Sequence, residues 1–362
     1  MKRRGEVGGR RAGSVASPPS VRVTLKALAA HVGLSPSTVS LVLNASPVAD
    51  SIPQATKGRI FAAARDLDYR PDFVARALRR QRSFSIGVLV SEISGGYSAE
   101  VVSGIERTLL EAGYFGLMAS HHFDPARLQK CLATLRDRLV EDYILVNTTI
   151  EESPPLPTVS VSGLRLMRGA GNVVVDHDRA ARLALEHLAS LGHDRIAFFT
   201  GPRVIPDSED RWRAIRAAAR EAGLAIRPDL VFGLGVEPRD GAFPLDEFHR
   251  EGYELGKELV QRRGEFTAIF AFNDPSAIGA MRALHEGGLR VPEDVSVVGF
   301  DDIDSAAFHN PGLTTIRQPL RSMGAIAARS LLDHLSGGER VGAQISVDPE
   351  LVVRQSTGPA PR

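Results

Sequence analysis

Two pairs of polar residues stand directly after short apolar runs in the second half of the chain, Asn273-Asp274 and Asp301-Asp302. Both runs have the composition of buried strands, and ligands bind beyond the carboxyl ends of the strands in an open parallel sheet. We therefore expect both pairs to face a cleft. Any one such residue is more often a helix cap or a turn former. Carboxylates and amides from several strand ends would suit a polyhydroxy ligand, because each can bridge neighbouring hydroxyl groups.

Other side chains could serve the same ligand. Arg211 begins a helix after the loop 201–210, and its fork of donors can hold a pair of hydroxyls or a carboxylate. An aromatic ring can pack on the apolar face of a sugar, and Tyr97 and Phe272 are the candidates for that contact.

The histidines that stand beside acidic residues or other histidines form no recognisable catalytic pattern. They lack the spacing that brings metal ligands together on one helix face. These groups are His121-His122, Asp176-His177-Asp178 and His193-Asp194. The chain also has no phosphate-binding loop, no dinucleotide-type glycine motif after a strand and no Gly-x-Ser-x-Gly elbow. The sequence thus predicts neither an enzyme nor a bound cofactor or metal ion, and the single cysteine, Cys131, excludes a disulfide framework.

The elements that must position these residues alternate between apolar strands and amphipathic helices beyond Ser83. Short apolar runs separated by helices are typical of buried parallel strands in βαβ units. Two series of such units predict an α/β body of two lobes, each with a doubly wound parallel sheet, and a ligand cleft between them. The strand candidates are residues 85–90, 143–146, 195–199, 268–272 and 295–300.

The 362 residues carry a net charge of only +1, but this charge is divided unevenly along the chain. Residues 1–82 contain 15 Lys and Arg against 5 Asp and Glu, whereas residues 83–362 contain 29 against 38. A basic head on an acidic body is typical of a polyanion-binding module fused to a second function. Residues 1–20 fit a disordered basic tail, and residues 21–82 do not, because they have a periodic apolar pattern.

Residues 24–44 have the pattern of two short helices joined by a tight turn. Thr24 can cap the first helix, Gly33 can end it in positive φ, and Ser35 can cap a second helix that starts at Pro36. Apolar residues recur at the spacing of one buried face, at Leu25, Leu28, Ala29, Val32, Val39, Val42 and Leu43. A third helix, at about 53–67, would close the small core through Ile60, Phe61, Ala64 and Leu67.

Such a helix-turn-helix places its second helix in the major groove of DNA. Ser37, Thr38, Ser40 and Leu41 would then face outward. Spacing alone does not distinguish this motif from any other three-helix bundle, and the excess of positive charge favours DNA binding.

A short basic segment follows the third helix. It carries Arg76, Arg79 and Arg80, with the apolar Leu78 among them. The segment can be an ordinary linker, with Leu78 packed on the body. Alternatively it is a hinge helix in the DNA minor groove, with Leu78 as a wedge between base steps.

Two runs in this part of the chain carry motifs in a fixed order. The first is Val23-Thr-Leu-Lys-Ala-Leu-Ala-Ala-His-Val-Gly-Leu-Ser-Pro-Ser-Thr-Val-Ser-Leu-Val-Leu-Asn44, and the second is Leu67-Asp-Tyr-Arg-Pro-Asp-Phe-Val-Ala-Arg-Ala-Leu78. They resemble the head and the hinge of the LacI/GalR family of bacterial transcription regulators. The resemblance extends over about residues 22–358. It implies a homodimer, with a tetramer left open, that binds near-palindromic operator DNA under the control of a small effector.

For the body, the resemblance implies a type I periplasmic sugar-binding fold, in which the chain crosses between the lobes near residues 175, 318 and 347. Asn273, Asp301, Arg211 and Gln318 match positions that commonly contact the effector in this family. The predicted effector site adds the two aromatic candidates and a strand-end residue of the first lobe, so that it consists of Tyr97, Ser162, Arg211, Phe272, Asn273, Asp301 and Gln318. The predicted operator contacts are Thr24, Ser35, Pro36, Ser37, Thr38, Ser40, Leu41, Asn44, Arg70, Arg76, Leu78 and Arg79.

The predicted organisation has five parts. A disordered basic tail precedes a helix-turn-helix head, a hinge follows, and two lobes make up the effector-binding body. The ranges are 1–20 for the tail, 21–69 for the head, 70–82 for the hinge, 83–175 with 319–347 for the first lobe, and 176–318 with 348–358 for the second lobe.

Several positions depart from the family pattern. Members often carry Asn-Pro-Phe where this chain has Ser94-Gly-Gly-Tyr97, and an Asp-Arg pair where it has Ser162-Gly163. The first lobe therefore lacks two usual polar contacts, which puts a standard sugar in doubt. Leu41 replaces a usual Arg, and a Leu can touch a thymine methyl but cannot make the bidentate contact to guanine. The segment 236–250 is longer than expected, so no site residue is assigned to Phe248.

Two other function classes share parts of this pattern. A free-standing sugar-binding or chemotaxis protein would need a signal peptide and no basic head. A nonspecific architectural DNA-binding protein would leave the acidic body and its cleft without a role. The basic start is not followed by an apolar stretch, and no apolar run is long enough to span a membrane, so we expect a cytoplasmic protein without a membrane partner. The favoured function is that of a repressor whose operator affinity responds to a sugar or a related polyhydroxy metabolite.

Overall fold

The computed structural model describes residues 23–44, 46–70, 82–93, 96–148, 150, 156–163, 170–235, 247–338, 342 and 344–361. The chain separates into two compact units, one ending at Gln81 and the other beginning at Arg82. We call the first unit the head and the second the body. The predicted tail and residues 71–81 of the predicted hinge lie outside the described residues.

The described part of the head consists of short helices around a small apolar core. They are α1 (Leu25–Val32), α2 (Pro36–Leu43), the 3₁₀ helix Pro47–Ser51 and α3 (Gln54–Asp66). Leu28, Val39 and Ile60 are completely buried where the three α-helices meet. The predicted three-helix architecture is thereby confirmed.

Side-chain caps define the ends of these helices, as the sequence predicts. Thr24 Oγ1 accepts a hydrogen bond from the backbone N–H of Ala27 at 3.2 Å, and Ser35 Oγ accepts one from that of Thr38 at 3.1 Å. Gly33 ends α1 in the left-handed conformation, with φ of 69°. Helices of eight residues are marginal on their own, so these caps and the shared core hold them in place.

One predicted core residue of the head is wrong. Phe61 is 46% exposed, whereas Ala63 is buried beside Ile60. The reason is the helical period, since a residue one position after Ile60 is turned by about 100° away from the face that carries Ile60. Phe61 instead lines an open groove of about 520 Å³ on the head, together with Ala64, Arg65, Asp68 and Tyr69.

The body contains two sheets, whose strands alternate with helices along the chain. The strands are β1 (Ser85–Val90), β2 (Phe115–Ser120), β3 (Tyr143–Val146), β4 (Thr158–Val161), β5 (Ala170–Val175), β6 (Ile196–Thr200), β7 (Val231–Gly233), β8 (Ala268–Phe270), β9 (Ser296–Asp301), β10 (Thr314–Arg317), β11 (Gln344–Val347) and β12 (Glu350–Val352). Every run predicted as a strand is confirmed, although β8 ends at Phe270, before the predicted end.

Each sheet has six strands and a doubly wound order. The first has the order β11-β5-β4-β3-β1-β2, and all its neighbouring strands are parallel. The second has the order β12-β10-β9-β8-β6-β7, and it is parallel except for the antiparallel pair β10–β12. The predicted α/β class with two parallel-rich sheets is confirmed. The antiparallel edge strand β12 was not expected.

Helices cover both sheets. They are α4 (Gly96–Glu111), α5 (Pro125–Asp137), α6 (His177–Ser190), α7 (Ser208–Glu221), α8 (Glu247–Gln261), α9 (Asp274–Glu286), α10 (Asp304–Phe308) and α11 (Leu320–Leu335). Helix α4 packs closely on α11, since a Cβ on Gly104 would lie 2.0 Å from the carbonyl oxygen of Arg321. Among the described residues, no helix is both long and apolar enough to cross a membrane.

The chain passes between the two sheets three times. Asp176 connects β5 of the first sheet to α6, which packs on the second. Gln318 and Pro319 connect β10 of the second sheet to α11, which packs on the first. The last passage, Asp348 and Pro349, lies between β11 and β12. We call the part built on each sheet a lobe, and Gln318 therefore lies where the two lobes meet.

Candidate functional site

Strained backbone marks the carboxyl ends of several strands in the body. Asp301, the last residue of β9, has φ of 112°, and the next residue, Asp302, has φ of 59°. Ser162, which follows β4 in the first lobe, has φ of 50°. Non-glycine residues in such conformations cost about 1–3 kcal/mol each and are concentrated at functional sites. These strand ends are therefore the place to look for a ligand.

Arg211 stands in the first turn of α7 and is the centre of a buried polar cluster. Its Nη1 donates to the carbonyl oxygen of Phe272 at 2.6 Å, and its Nη2 donates to Oδ2 of Asp207 at 3.0 Å. The guanidinium carbon lies 4.5 Å from the ring centroid of Phe272 and 3.8 Å from that of Phe300. Aromatic contacts of this kind favour a cation and hold its plane in one orientation.

Asp207 forms an ion pair with Arg211 and His177 lies beside Asp207, and sequence reasoning missed both of these roles. His177 Nε2 lies 3.4 Å from Oδ2 of Asp207. Burial raises the pKa of Asp207, but Arg211 and His177 outweigh it and hold that pKa below its usual range. Asp207 is therefore a carboxylate. The four-residue spacing from Asp207 to Arg211 on a helix was the available signal, since such pairs lie on one helix face.

Asp301 and Gln318 form the next pair in the cluster. Gln318 Nε2 donates to Oδ1 of Asp301 at 2.7 Å, and both side chains are buried. Burial raises the pKa of Asp301 to about 7, although Arg211 and the hydrogen bond from Gln318 oppose the rise. A carboxyl group with this pKa can both donate and accept hydrogen bonds near neutral pH.

Tyr97 reaches this cluster from the other lobe. It lies in the first turn of α4, and burial raises its pKa well above the usual range. The charges of Asp207 and Asp301 raise that pKa further, so the phenol lies close to the carboxylates of the second lobe. The lobes also touch nearby, because a Cβ on Gly96 would lie 2.9 Å from Ile303.

Several polar atoms around this cleft are buried without a hydrogen-bond partner among the described residues. They are Nε of Arg211, Oε1 of Gln318 and the neighbouring hydroxyls of Tyr97 and Ser162, which affect each other without a hydrogen bond of normal geometry. More than nine in ten buried polar groups in native proteins have a partner, so unpaired atoms need an explanation. Donors and acceptors in this arrangement fit the hydroxyl groups of a bound molecule.

Phe272 supports the site in a different way from the one predicted. Its ring contacts the guanidinium of Arg211 and lies 6.1 Å, centroid to centroid, from that of Phe248 at an interplanar angle of 26°. Phe272 therefore packs on protein groups rather than presenting a free platform for a sugar. Phe248, to which no role was assigned from the sequence, is a buried neighbour of the cleft.

Two of the four strand-end residues that were expected to face the cleft do not. Asp274 is completely buried and accepts hydrogen bonds from the hydroxyl of Thr315 at 2.5 Å and the N–H of Ile303 at 2.9 Å. Asp302 pairs with Arg317 and Arg354. Both side chains are therefore engaged within the second lobe itself, and their prediction as cleft residues is wrong.

Asn273 has the role that is commonest for such a position. Its side chain accepts a hydrogen bond from the N–H of Ser276 at 3.0 Å, and Ser276 Oγ accepts one from the N–H of Asn273 at 3.3 Å. The two residues thus form a capping box at the start of α9. Asn273 is adjacent to Phe272 in the chain, and its capping bond fixes where β8 turns into α9.

In the head, the outer side of α2 is the candidate DNA interface. Ser35, Pro36 and Ser37 are exposed, and Thr38 and Leu41 are half-buried. Thr24 is exposed at the start of α1, and Arg70 is exposed and pairs with Asp68 at 3.4 Å. Arg76, Leu78 and Arg79 lie outside the described residues.

Ser40 does not face outward as predicted. It is buried, and its backbone oxygen and its Oγ accept hydrogen bonds from Nδ2 of Asn44 at 2.7 and 3.2 Å. Only a narrow part of the surface of this short helix is exposed to solvent. Ser40 lies outside that part, because it is next to the core residue Val39 and one turn before Leu43, which packs on the core. Asn44, half-buried, is thereby held against the end of α2.

Comparison with known proteins identifies a family for both the head and the body. Residues 24–72 match the family described as bacterial regulatory proteins, lacI family, and residues 185–357 match the periplasmic binding protein-like domain. The HTH-type transcriptional repressor PurR of Haemophilus influenzae is 32% identical over 343 residues, which cover 92% of this chain and 98% of that protein. The chain belongs to the lacI family of bacterial regulatory proteins.

Further members of the lacI family are similar over the same length. The ribose operon repressor of Escherichia coli is 31% identical over 342 residues, which cover 92% of this chain and 99% of that protein. A solved lac repressor dimer, bound to operator and the anti-inducer ONPF, is 26% identical with a TM-score of 0.80. That similarity covers 93% of this chain and 99% of the lac repressor chain.

In this lacI-family chain, most of the predicted effector residues converge on one cleft. Tyr97, Arg211, Asp301 and Gln318 are joined by hydrogen bonds or by the effect of one charge on another. Phe272 contacts Arg211, Ser162 has an unpaired hydroxyl at its strand end, and Asn273 serves as a helix cap. The residues that the sequence did not reveal are Asp207, His177 and Phe248.

Proposed function

We propose that this chain is a transcriptional repressor that binds operator DNA through α2 of the head and a small polyhydroxy effector through the cleft of the body. The observation that carries the proposal is the set of unpaired buried polar atoms at the cleft, contributed by both lobes of a lacI-family chain. A ligand that satisfies atoms of both lobes binds one lobe arrangement better than any other. It can therefore shift the equilibrium between arrangements by that difference in affinity.

The class of effector follows from the groups around the cleft. Asp301, Gln318, Tyr97 and Ser162 offer a carboxyl, an amide and two hydroxyls, which are the groups that bridge sugar hydroxyls. The name of the Escherichia coli relative, a ribose operon repressor, supports a sugar or a related metabolite. The proposed contacts are Tyr97, Ser162, Arg211, Asn273, Asp301 and Gln318, with Phe272 as the support of Arg211.

The DNA contacts are proposed from the exposed positions of the head. Ser37, Thr38 and Leu41 are the candidates for base contacts in the major groove, and Thr24, Ser35 and Pro36 for contacts to the phosphate backbone. Asn44 and Arg70 flank this surface. Ser40 is buried and is therefore not among the proposed DNA contacts.

The basic segment 70–82 is proposed as a hinge between the head and a two-lobed body, in which residues 83–175 with 319–347 and residues 176–318 with 348–358 form the lobes. Arg76 and Arg79 would bind phosphates, and Leu78 would be inserted between base steps in the minor groove. Because the lac repressor in its operator complex is a dimer, we propose a homodimer on a two-fold operator.

We further propose that the chain is not an enzyme and acts in the cytoplasm. Its named relatives are transcriptional repressors, and a regulator must share the compartment of its DNA. The buried polar groups of the cleft have roles in ligand binding that need no catalytic step.

Selection of bound sequences from a random pool of double-stranded DNA tests the DNA half of the proposal. The selected sequence should be a near-palindrome, bound at least about a thousandfold more tightly than random DNA at physiological salt. Leu78→Ala should weaken binding to it, because the variant loses the wedge. Equal affinity for selected and random DNA would contradict a sequence-specific repressor.

A further inference from the structure

Asp207 stands at a helix start, where an acidic side chain normally accepts hydrogen bonds from the backbone of the first turn, but it makes no such bond. It is the residue that precedes α7, and its carboxylate accepts no capping hydrogen bond from the first turn. A carboxylate at a helix N-terminus usually binds those N–H groups. Here Oδ2 of Asp207 is directed to Nη2 of Arg211 and lies near Nε2 of His177. Asp207 thus forms an ion pair with Arg211 and does not cap its own helix.

Two of the five N–H donors of Arg211 are correspondingly occupied. An arginine binds a phosphate or a carboxylate best when two of its N–H groups point at the anion in parallel. In this chain Nη2 donates to Asp207 and Nη1 donates to the carbonyl of Phe272. Among the hydrogen-bonding atoms of the guanidinium, Nε has no partner within the described residues. Each Nη nitrogen also carries a second N–H, so donors remain for a ligand, and what Asp207 removes is the net positive charge that would attract an anion.

The charges around the cleft also favour a neutral ligand over an anionic one. The half-buried carboxylate of Asp207 and the buried carboxyl group of Asp301 both face the positive charge of Arg211. An anionic ligand would add a further negative charge to a poorly hydrated site, where like charges repel strongly. A neutral ligand would instead donate its hydroxyl hydrogens to the carboxyl oxygens.

We propose that Asp207 is a specificity-determining residue, which neutralises Arg211 and thereby makes the cleft select uncharged polyhydroxy ligands and reject sugar phosphates and sugar acids. The inference rests on the proposed function insofar as the cleft is the effector site. It goes further in assigning the charge class of the effector to one side chain.

Inorganic phosphate is the probe that tests this assignment without knowledge of the effector. Equilibrium dialysis of the full chain against labelled phosphate, at fixed ionic strength in chloride, measures binding directly. Asp207→Asn and Asp207→Ser should each bind phosphate at least about tenfold more tightly than the wild type, because they release the guanidinium of Arg211. Addition of Arg211→Gln to either variant should abolish the gain.

A matched control is Asp229→Asn. Asp229 also accepts hydrogen bonds from arginines, namely Arg227 and Arg262, each at 2.6 Å, but it does so on the exposed surface. Its variant should bind phosphate no better than the wild type, since exposed guanidinium groups are hydrated and screened. Asp207→Ser keeps a hydroxyl beside Arg211 and so tests the charge separately from the contact.

Two results would overturn the assignment. One is wild-type binding of phosphate that Arg211→Gln removes, which would mean that the cleft accepts anions with Asp207 in place. The other is the absence of any gain in both Asp207 variants. The gain requires neither operator binding nor an effector, so a chain that fails the operator selection can still show it. A chain that passes the selection can fail this test, and the two failures are therefore distinguishable.

Discussion

Tyr97 and Asp301 approach the ligand cleft from opposite lobes. The hydroxyl of Tyr97 neighbours that of Ser162 but makes no hydrogen bond of normal geometry within the described residues, and Asp301 is held by Gln318 at the passage between the lobes. A polyhydroxy ligand that bonds to both residues joins the lobes through groups that the protein leaves unsatisfied. We therefore expect ligand affinity and lobe arrangement to be linked through these two residues.

Replacement of Tyr97 by Phe tests the unpaired hydroxyl. The variant keeps the ring but loses one hydrogen bond, so we expect roughly three- to tenfold weaker binding of the effector. Calorimetry measures this with a ligand found by thermal-shift screening of sugars, polyols and nucleosides, since a bound ligand raises the melting temperature. Tyr253→Phe is the control, because that hydroxyl donates to Glu286 at 2.7 Å on the exposed surface. Equal affinities of Tyr97→Phe and the wild type would remove Tyr97 from the site.

The burial of Asp301 predicts a dependence of stability on pH. Its pKa is raised from 3.8 to about 7 in the folded chain, so the folded state binds the proton more tightly than the unfolded state. This group therefore lowers the free energy of unfolding as the pH rises from 3.8 to about 7 and has no further effect above that value.

The variant Asp301→Asn removes that titration. Its unfolding free energy, subtracted from that of the wild type, should give a difference that falls through this pH window and is flat above it. Urea unfolding at a series of pH values provides the measurement. A difference that does not change with pH would show that Asp301 keeps an ordinary pKa.

At the scale of elements, close helix contacts hold each lobe together. Gly104 of α4 and Gly324 of α11 face each other's backbones, since a Cβ on Gly104 would lie 2.0 Å from Arg321 O and one on Gly324 would lie 2.0 Å from Val101 O. The two helices can therefore pack at this short distance only because both residues lack a Cβ atom. Tyr97 stands at the start of α4, so this contact also fixes where its side chain enters the cleft.

Gly104→Ala should destabilise the body by about 2 kcal/mol or more, because backbone atoms cannot move aside as a flexible side chain can. Urea unfolding followed by the fluorescence of Trp212, the single tryptophan, reports on the body. Gly58→Ala in α3 is the contrast, since a Cβ there would meet nothing within 4 Å. It should stabilise the head by about 0.5–1 kcal/mol through helix propensity. A neutral Gly104→Ala would contradict the close contact.

The elements of this chain were largely predictable from local signals. Thr24, Gly33 and Ser35 act within a few residues of themselves, and caps of this kind depend on chain-local geometry. The strands were predictable because parallel strands buried on both faces give unbroken apolar runs. Phe61 and Ser40 were assigned to the wrong face of a helix, and other errors arose where the outcome depends on neighbours distant in sequence. Asp274 is satisfied by Thr315, a partner that no local pattern reveals.

The site was predictable in part, for a similar reason. Arg211, Asp301 and Gln318 were placed by the resemblance to a family, and they meet in one cluster. The binding partner of Arg211 was not foreseen, because Asp207 looks like an ordinary helix-start residue until its carboxylate is seen to leave the helix. Sequence reasoning thus named residues that meet in one cluster, and three-dimensional contacts determine the charge of that cluster.

At the scale of the whole molecule, the net charge of +1 is the sum of a basic N-terminal part and an acidic remainder. Residues 1–82 carry 15 basic against 5 acidic residues, and the rest of the chain carries 29 against 38. We therefore expect residues 1–82 to supply the attraction to phosphates, and the acidic remainder of the chain to disfavour contact with DNA. Affinity and sequence preference should then be separable by altering the basic segments.

Deletion of residues 1–20 should reduce the salt dependence of DNA binding without reducing the preference for operator. Phosphate contacts carry no sequence information, and the slope of log affinity against log salt falls by about one for each phosphate that the protein no longer neutralises. Filter binding to operator and random DNA over a range of salt concentrations measures both quantities. Loss of the preference itself would mean that this segment contacts bases.

The most direct test of the central claim is the operator dissociation constant, measured as a function of effector concentration for the wild type and Arg211→Ala. The coupling between two sites of a regulator commonly amounts to roughly 5–150-fold in affinity. We expect a change of this size in the wild type and none in Arg211→Ala, with equal operator affinity of the two chains when no effector is present. An operator affinity that is indifferent to the effector in the wild type, or that changes equally in both chains, would contradict control of DNA binding through this cleft.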